Sequence, residues 1–168
     1  IQSAEDDFDI NYLWGSNTLL SFAAGWGHGR ADVVDVLLQN GADPNRVGNI
    51  DSATHPLVKA AEKGHADVVE VLLESGANVR HLDIHHRSSI WYAIDNQNYD
   101  IARRLIREAF RQAVYGEAEA YTVENAIQDG VLSIPSLKRY FYENYAIYNS
   151  ENVPNKPLPT LPPILKDE

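Results

Sequence analysis

Apolar residues recur with helical spacing in two stretches of the chain that are almost identical. Residues 31–45 read ADVVDVLLQNGADPN and residues 66–80 read ADVVEVLLESGANVR, at an offset of 35 residues. Their apolar side chains leave almost no polar face, which predicts helices packed between two neighbours. Gly41 and Gly76 follow these helices and should supply the left-handed residue that ends each one. The apolar residues of the first stretch are Val33, Val34, Val36, Leu37 and Leu38.

A second kind of block precedes each of these helices. It reads TLLSFAA at residues 18–24 and HPLVKAA at residues 55–61, and a Gly-His pair follows each block. Paired alanines let neighbouring helices approach closely, a Thr or Ser before them can cap the helix, and a Pro suits the first turn. The recurring alanines are Ala23, Ala60, Ala93 and Ala126, separated by 37, 33 and 33 residues.

These blocks resemble the ankyrin repeat, whose pattern is T-P-L-H-x-A-A, then G-H, an apolar helix and G-A-D-x-N at a period of about 33 residues. The resemblance covers residues 9–149 and implies an all-α solenoid of stacked helix–turn–helix units with β-turn loops. Asp9-Ile10-Asn11 is similar to the end of a further repeat. We expect repeats near residues 16–48, 53–85, 87–116 and 120–149, preceded by a partial repeat at residues 1–12.

Departures from the pattern predict local changes of structure. The stretch from Gly27 to Val33 is two residues longer than that from Gly64 to Val68, with His28-Gly29-Arg30 filling the gap, which predicts a bulge. His28 and His65 share the Gly-His position and are expected to be hydrogen-bonded scaffold residues. Residues 110–121 replace the usual loop after the third repeat, so the preceding helix should run long. In the fourth repeat the apolar anchors become Leu137, Tyr140 and Phe141.

The last segment, residues 150–168, has a different composition. It holds five of the eight prolines, together with four apolar residues, Leu158, Leu161, Ile164 and Leu165. We expect this segment to pack over the array as a cap. The alternative is a proline-rich ligand, since Lys156, Pro159 and Pro162 fit a segment that binds aromatic grooves.

Composition excludes several classes of function. The 14 Lys and Arg residues against 24 Asp and Glu give a net charge of -10, so a basic nucleic-acid-binding face is not expected. No run of about 18 apolar residues is present, so we expect no membrane span. Cysteine is absent, which excludes a disulfide framework, a thiolate nucleophile and a Cys-based zinc site, and suits either redox compartment.

Candidate catalytic and metal chemistry is weak. His81 and His85 have the i, i+4 spacing of a metal pair on a helix, and Asp83 and His86 lie beside them, but the register places them in a loop. There is no G-x-S-x-G nucleophile motif, and the glycines around Trp26 lack the strand and the Gly-Lys-Ser/Thr of a phosphate loop. We therefore expect no catalytic residue, no metal, no cofactor and no enzymatic activity.

A basic stripe lies on the helix predicted over residues 100–112. Asp100 and Glu108 can pair with its arginines, so a solvated outer face is the simpler interpretation, and an acidic partner is the alternative. The stripe consists of Arg103, Arg104, Arg107 and Arg111.

Aromatic residues give the strongest indication of a binding surface. The resemblance implies a concave strip lined by the residue after the motif's His position, which is Phe22, Lys59, Tyr92 or Asn125 in the successive repeats. Exposed Trp and Tyr are enriched in protein-binding hot spots, although Trp14 and Trp26 could instead cover the open end of the array. With the loops near residues 7–17, 42–54 and 77–88, the predicted partner-binding residues are Tyr12, Trp14, Phe22, Trp26, Lys59, His81, Asp83, His85 and Tyr92.

These features favour a non-catalytic module, monomeric on its own, that binds a partner protein through loop tips and the concave helix face. The alternative is an acidic inhibitor or immunity-type protein that neutralises a basic enzyme, for which charge complementarity would speed association. Net charge is the feature that favours this alternative. A metalloprotein or enzyme built on the histidine cluster is a third hypothesis.

Overall fold

The computed structural model describes residues 9–47, 55–114 and 121–152. Within these ranges the chain forms eight α-helices and one two-stranded hairpin, which confirms the predicted all-α class. The chain divides into two compact units, residues 1–77 and 78–168. The first unit contains β1 (Leu13–Trp14), β2 (Asn17–Thr18), α1 (Leu19–Gly25), α2 (Ala31–Gln39), α3 (Pro56–Lys63) and α4 (Ala66–Glu74). The second contains α5 (Ser89–Asp95), α6 (Tyr99–Val114), α7 (Val123–Gln128), a 3₁₀ helix (Val131–Ser133) and α8 (Pro135–Asn152).

The first unit consists of two helix pairs packed side by side, with α1 against α3 and α2 against α4. Ala24, Ala60 and Ala61 are fully buried, because small side chains let the helices of neighbouring pairs come close together. Pro56 occupies the first turn of α3, as predicted, and the side chain of His55 does not cap that helix. The two pairs therefore share one layer of small and aliphatic residues.

Helices α2 and α4 have almost the same sequence but different burial. In α4, Val68, Val69 and Leu72 are fully buried, whereas in α2 only Val34 is buried. Val33 of α2 is 39% exposed. Among the described residues α2 does pack on two neighbours, α1 and α4, but Val33 and Val36 stay exposed, so its apolar side chains are not enclosed as fully as the sequence predicted.

The turn between α1 and α2 carries the predicted bulge. In the second pair, Gly64 both ends α3 and stands two residues before α4. In the first pair these roles are divided: Gly27 follows α1, and Gly29 stands two residues before α2. The three glycines have φ values of 75°, 57° and 69°, a region that residues with a Cβ rarely occupy. The two extra residues thus require a second left-handed glycine.

The bulge changes the counterpart of His65. His65 directly precedes α4, and the residue that directly precedes α2 is Arg30. The prediction that His28 corresponds to His65 is therefore wrong. A Cβ built on Gly29 would lie 2.7 Å from His65 Cγ, so the imidazole packs directly on the bulge. Its Nε2 has no hydrogen-bond partner among the described residues, contrary to the hydrogen-bonded histidine we expected. Burial, together with positive charge from His28 and Lys63, lowers the pKa of His65.

Loops of the first unit end in a repeated set of hydrogen bonds. Asn45 Nδ2 donates to the carbonyl of Gly76, and Asn11 Nδ2 donates to that of Gly41, both at 3.0 Å. The backbone N–H of each asparagine donates to the carboxylate two residues earlier, at 2.8 and 2.9 Å. Residues 9–11 are therefore built like the end of a repeat, and residues 1–8 of the predicted partial repeat lie outside the described residues.

The second unit is organised around a long helix and an aromatic core. Helix α6 spans 16 residues, as the missing loop predicted, and it packs on α5 and α8. The ring of Phe110 lies 5.8 Å from that of Tyr121 and 5.6 Å from that of Phe141. Leu137 and Phe141 are fully buried, as predicted, whereas Tyr140 is half-buried.

A buried carboxylate joins distant parts of the second unit. Asp129, which follows α7, accepts hydrogen bonds from Ser88 Oγ at 2.6 Å and from Tyr121 OH at 2.7 Å. Burial raises the pKa of Asp129, although both hydrogen bonds oppose this shift. Arg80 lies over the ring of Tyr121, 5.3 Å from its centroid. This carboxylate ties the start of α5 to the end of α7.

Two further expectations concern the chain ends and membranes. The predicted cap at residues 150–168 falls outside the described residues from residue 153 onward. Among the helices that the structure describes, none has the length and apolar character needed to cross a membrane.

Candidate partner-binding surface

The hairpin of the first unit displays two aromatic side chains. Leu13 pairs with Thr18, and Trp14 pairs with Asn17, across a turn in which Gly15 has a φ of 63°. Tyr12 and Trp14 lie two residues apart, so their side chains share one side of the extended segment. Their rings form an edge-to-face pair with centroids 5.9 Å apart. The tight turn thus holds both rings on one short element.

Helix α1 displays a second aromatic pair. Thr18 and Ser21 form a capping box, each side chain accepting from the other's backbone N–H at 3.0 Å, which fixes the start of the helix. Phe22 and Trp26 follow one helical turn apart, with ring centroids 4.5 Å apart. The four residues of the two pairs, here called the aromatic surface, are Tyr12, Trp14, Phe22 and Trp26, with exposures of 59%, 70%, 49% and 63%.

Lys59 packs beside α1 rather than projecting freely. A Cβ on Gly25 would lie 3.3 Å from Lys59 Cβ, so this glycine gives the lysine stem room on α1. Lys59 Nζ lies 3.2 Å from Glu62 Oε2, and Lys63 Nζ lies 3.3 Å from Glu62 Oε1. Burial opposes ionisation of Glu62, but the two lysines outweigh it and lower the pKa of this carboxyl. Two lysines share one carboxylate, so these three groups together carry one positive charge next to Gly25.

The histidine-rich loop of the second unit is organised by Asp83. Asp83 Oδ1 accepts from the backbone N–H groups of His85 at 2.8 Å and Arg87 at 2.9 Å. Asp83 Oδ2 accepts from Arg87 Nε at 2.9 Å and from Tyr92 OH at 2.7 Å. Burial acts to raise the pKa of Asp83, but these hydrogen bonds outweigh it and lower the pKa to about 2. The carboxylate is ionised, and its oxygens are occupied by donors within the loop.

This arrangement corrects two of the predicted site residues. Tyr92 is only 8% exposed and Asp83 is buried, so the prediction that they face a partner is wrong: they hold the loop together. Asn125, expected on the same strip, instead caps α7 with Thr122. His85 is exposed and His81 is half-buried.

An arginine that the sequence analysis did not single out completes this loop. The guanidinium of Arg87 lies 4.9 Å from the ring centroids of both Trp91 and Tyr92, within the range of a cation–π contact. Its i, i+4 spacing from Asp83 is the one signal in the sequence that could have indicated the pairing.

Neither the histidines nor the basic stripe forms a separate site. Among the residues that the structure describes, no group of three or more His, Asp or Glu side chains could hold a metal ion. On α6, Arg103 pairs with Asp100 at 3.1 Å, and Arg111 Nε donates to both oxygens of Glu108 at 2.8 Å. The stripe is therefore partly neutralised by its own helix, whereas Arg107 is exposed.

Comparison with known proteins identifies the helix pairs. A family model of ankyrin repeats in three copies matches residues 20–114, more than half of the chain, a range that runs from α1 to the end of α6. No curated protein matches the chain closely enough to count as a relative. Ankyrin repeats generally serve as protein–protein interaction modules and are typically non-catalytic. The chain belongs to the ankyrin repeat family.

Proposed function

We propose that this chain is a non-catalytic interaction module whose first unit contacts a partner protein through the aromatic surface, with Lys59 at its border. The observation that carries the proposal is the exposure of four large aromatic side chains on the hairpin and α1. In the second unit, by contrast, Phe110, Tyr121 and Phe141 are buried in the core.

Exposed aromatic pairs suit binding because they offer large apolar area at low entropic cost. Trp and Tyr are enriched among the residues that dominate binding energy, and two χ angles per side chain leave little freedom to lose. The capping box of α1 and the hairpin turn fix the backbone beneath both pairs. A partner would therefore meet rings that already have defined neighbours.

The second unit contributes less directly to this proposal. His85 remains exposed and His81 half-buried, and we propose them as separate loop contacts. Asp83 and Tyr92 support those contacts by holding the loop through their hydrogen bond. Because the Asp83 oxygens are engaged by four donors within the loop, this carboxylate is not proposed as an acid, a base or a metal ligand.

The test is capture of partners from the source cell with the full chain and matched variants. Trp14→Ala and Trp26→Ala should each lose the captured protein, because each removes an exposed hot-spot ring; a loss of at least about 1–2 kcal/mol in binding is expected. Ile127→Ala is the control, since Ile127 is an equally exposed apolar residue outside the aromatic surface. Retention by both Trp variants, with loss in Arg104→Glu/Arg107→Glu, would contradict the proposal and favour the basic stripe.

A further inference from the structure

The exposed indoles of the aromatic surface offer hydrogen-bond donors as well as ring faces. Trp14 and Trp26 are the most exposed members of the set. A tryptophan side chain donates one hydrogen bond and accepts none. No described residue accepts a hydrogen bond from either indole N–H. A ligand that stacks on these rings and supplies carbonyl acceptors would satisfy both properties.

The charges next to the aromatic surface favour a ligand of low charge. Glu62 is held between Lys59 and Lys63, so these three groups together carry one positive charge and give little attraction for a strongly charged segment. Apolar contacts and neutral hydrogen bonds would then supply most of the binding.

Polyproline II segments have this chemistry. Their backbone makes no internal hydrogen bonds, so the carbonyl groups are available to indole donors, and proline rings dock on aromatic side chains. With three residues per turn and a rise of about 3.1 Å, positions three apart lie on one edge. An aliphatic residue at every third position would give such a ligand a continuous apolar edge.

The chain itself contains a segment of this kind. Five prolines lie between positions 154 and 163, and Leu158, Leu161 and Ile164 are spaced three apart.

We propose that the aromatic surface binds proline-rich segments with an aliphatic residue at every third position, and that residues 154–165 of a second copy of this chain are such a ligand. The inference rests on the proposed function, because it assigns a ligand to the same surface. Each polypeptide carries both the surface and the matching segment, so a solution of this chain alone contains both binding partners. In this proposal the segment acts as a ligand, the alternative to the cap expected from the sequence, and association depends on concentration.

Sedimentation velocity of the full chain over a range of concentrations tests the proposal. The wild type should associate as concentration rises, and a synthetic peptide of residues 153–168 should reverse this. Two variants should each self-associate at least about tenfold more weakly than the wild type. The surface variant is Trp14→Ala/Trp26→Ala, and the segment variant is Leu158→Ser/Leu161→Ser/Ile164→Ser. Ile127→Ala/Ile147→Ala, which alters two other exposed isoleucines, should behave as the wild type.

Mixing the two variants gives the sharpest result. The surface variant keeps an intact segment and the segment variant keeps an intact surface, so the mixture should form heterodimers that neither protein forms alone. A wild type that stays monomeric at all concentrations, or a mixture that does not associate, would overturn the inference. Partner capture that still depends on Trp14 would then leave the proposed function standing, whereas capture independent of Trp14 and Trp26 would remove both.

Discussion

The substitution Leu72→Ala tests the packing of the first unit, and the near-duplicate helix provides its control. Leu72 is fully buried at the seventh position of α4. Leu37 holds the seventh position of α2 and is only half-buried. Because the two helices have almost the same sequence, Leu37→Ala changes helix propensity by the same amount in the same local context.

The expected loss in free energy of unfolding follows from the number of carbon atoms that each substitution removes. Truncating leucine to alanine removes three carbons, worth about 0.8 kcal/mol each when fully buried, or about 2.4 kcal/mol together. A closed site adds about 24 cal/mol for each Å³ of cavity that does not collapse, which gives about 2.5–5 kcal/mol for Leu72→Ala. Leu37→Ala leaves a site open to solvent and loses partial burial, so about 1 kcal/mol is expected.

Equilibrium urea unfolding followed by circular dichroism measures both variants. The midpoint should fall for Leu72→Ala, while the denaturant dependence of the free energy of unfolding stays near that of the wild type. A loss below about half a kcal/mol is typical of surface positions and would show that Leu72 is exposed. Equal losses for the two variants would refute the argument that neighbouring helices, rather than sequence, determine the cost.

Three further predictions concern the loop and the bulge. Tyr92→Phe removes one donor from Asp83 and should cost about 1–3 kcal/mol in urea unfolding; an unchanged midpoint would show that the hydrogen bond contributes nothing. The pKa of Asp83 is about 2 in the folded chain, below its value of about 3.9 when unfolded, so its stabilisation is complete above about pH 4 and is lost as pH falls through 2. The midpoint of Asp83→Asn should accordingly fall less steeply on acidification than that of the wild type, and parallel profiles would argue against this. Gly29→Ala should destabilise more than Gly15→Ala, because both have positive φ but only the first meets His65; equal thermal midpoints would count against the close contact.

Local features of the first unit could be predicted because they depend on residues close together in sequence. Three of these features each reflect the preference of a few consecutive residues. They are the apolar spacing of α2 and α4, the left-handed glycines that follow them, and the start of α3 at Pro56. The long α6 followed in the same way from the absence of a Gly-Ala-Asp loop. These signals lie within one or two helical turns.

Burial of individual residues could not be read in the same way. The repeat position of Tyr92 implies a side chain free to face the concave strip, yet Asp83, nine residues earlier, accepts a hydrogen bond from its hydroxyl group. Asp129 likewise accepts a hydrogen bond from Ser88, which lies 41 residues away in sequence. Such pairings depend on how a loop closes, and no periodicity encodes them. In the aromatic surface, the exposure of all four residues does agree with the prediction, while their contact with a partner remains a proposal.

The different burial of α2 and α4 has a consequence for how each helix accepts mutation. Val33 of α2 is 39% exposed, whereas Val68 at the same position of α4 is fully buried, so lysine or glutamate at Val33 should be tolerated and would make the surface more polar. The same replacement at Val68 or Leu72 of α4 would place a charge among fully buried side chains. A saturation-mutagenesis map would therefore separate two helices that an alignment treats as copies. Polar substitutions would be permitted in α2 at positions where α4 accepts only aliphatic residues.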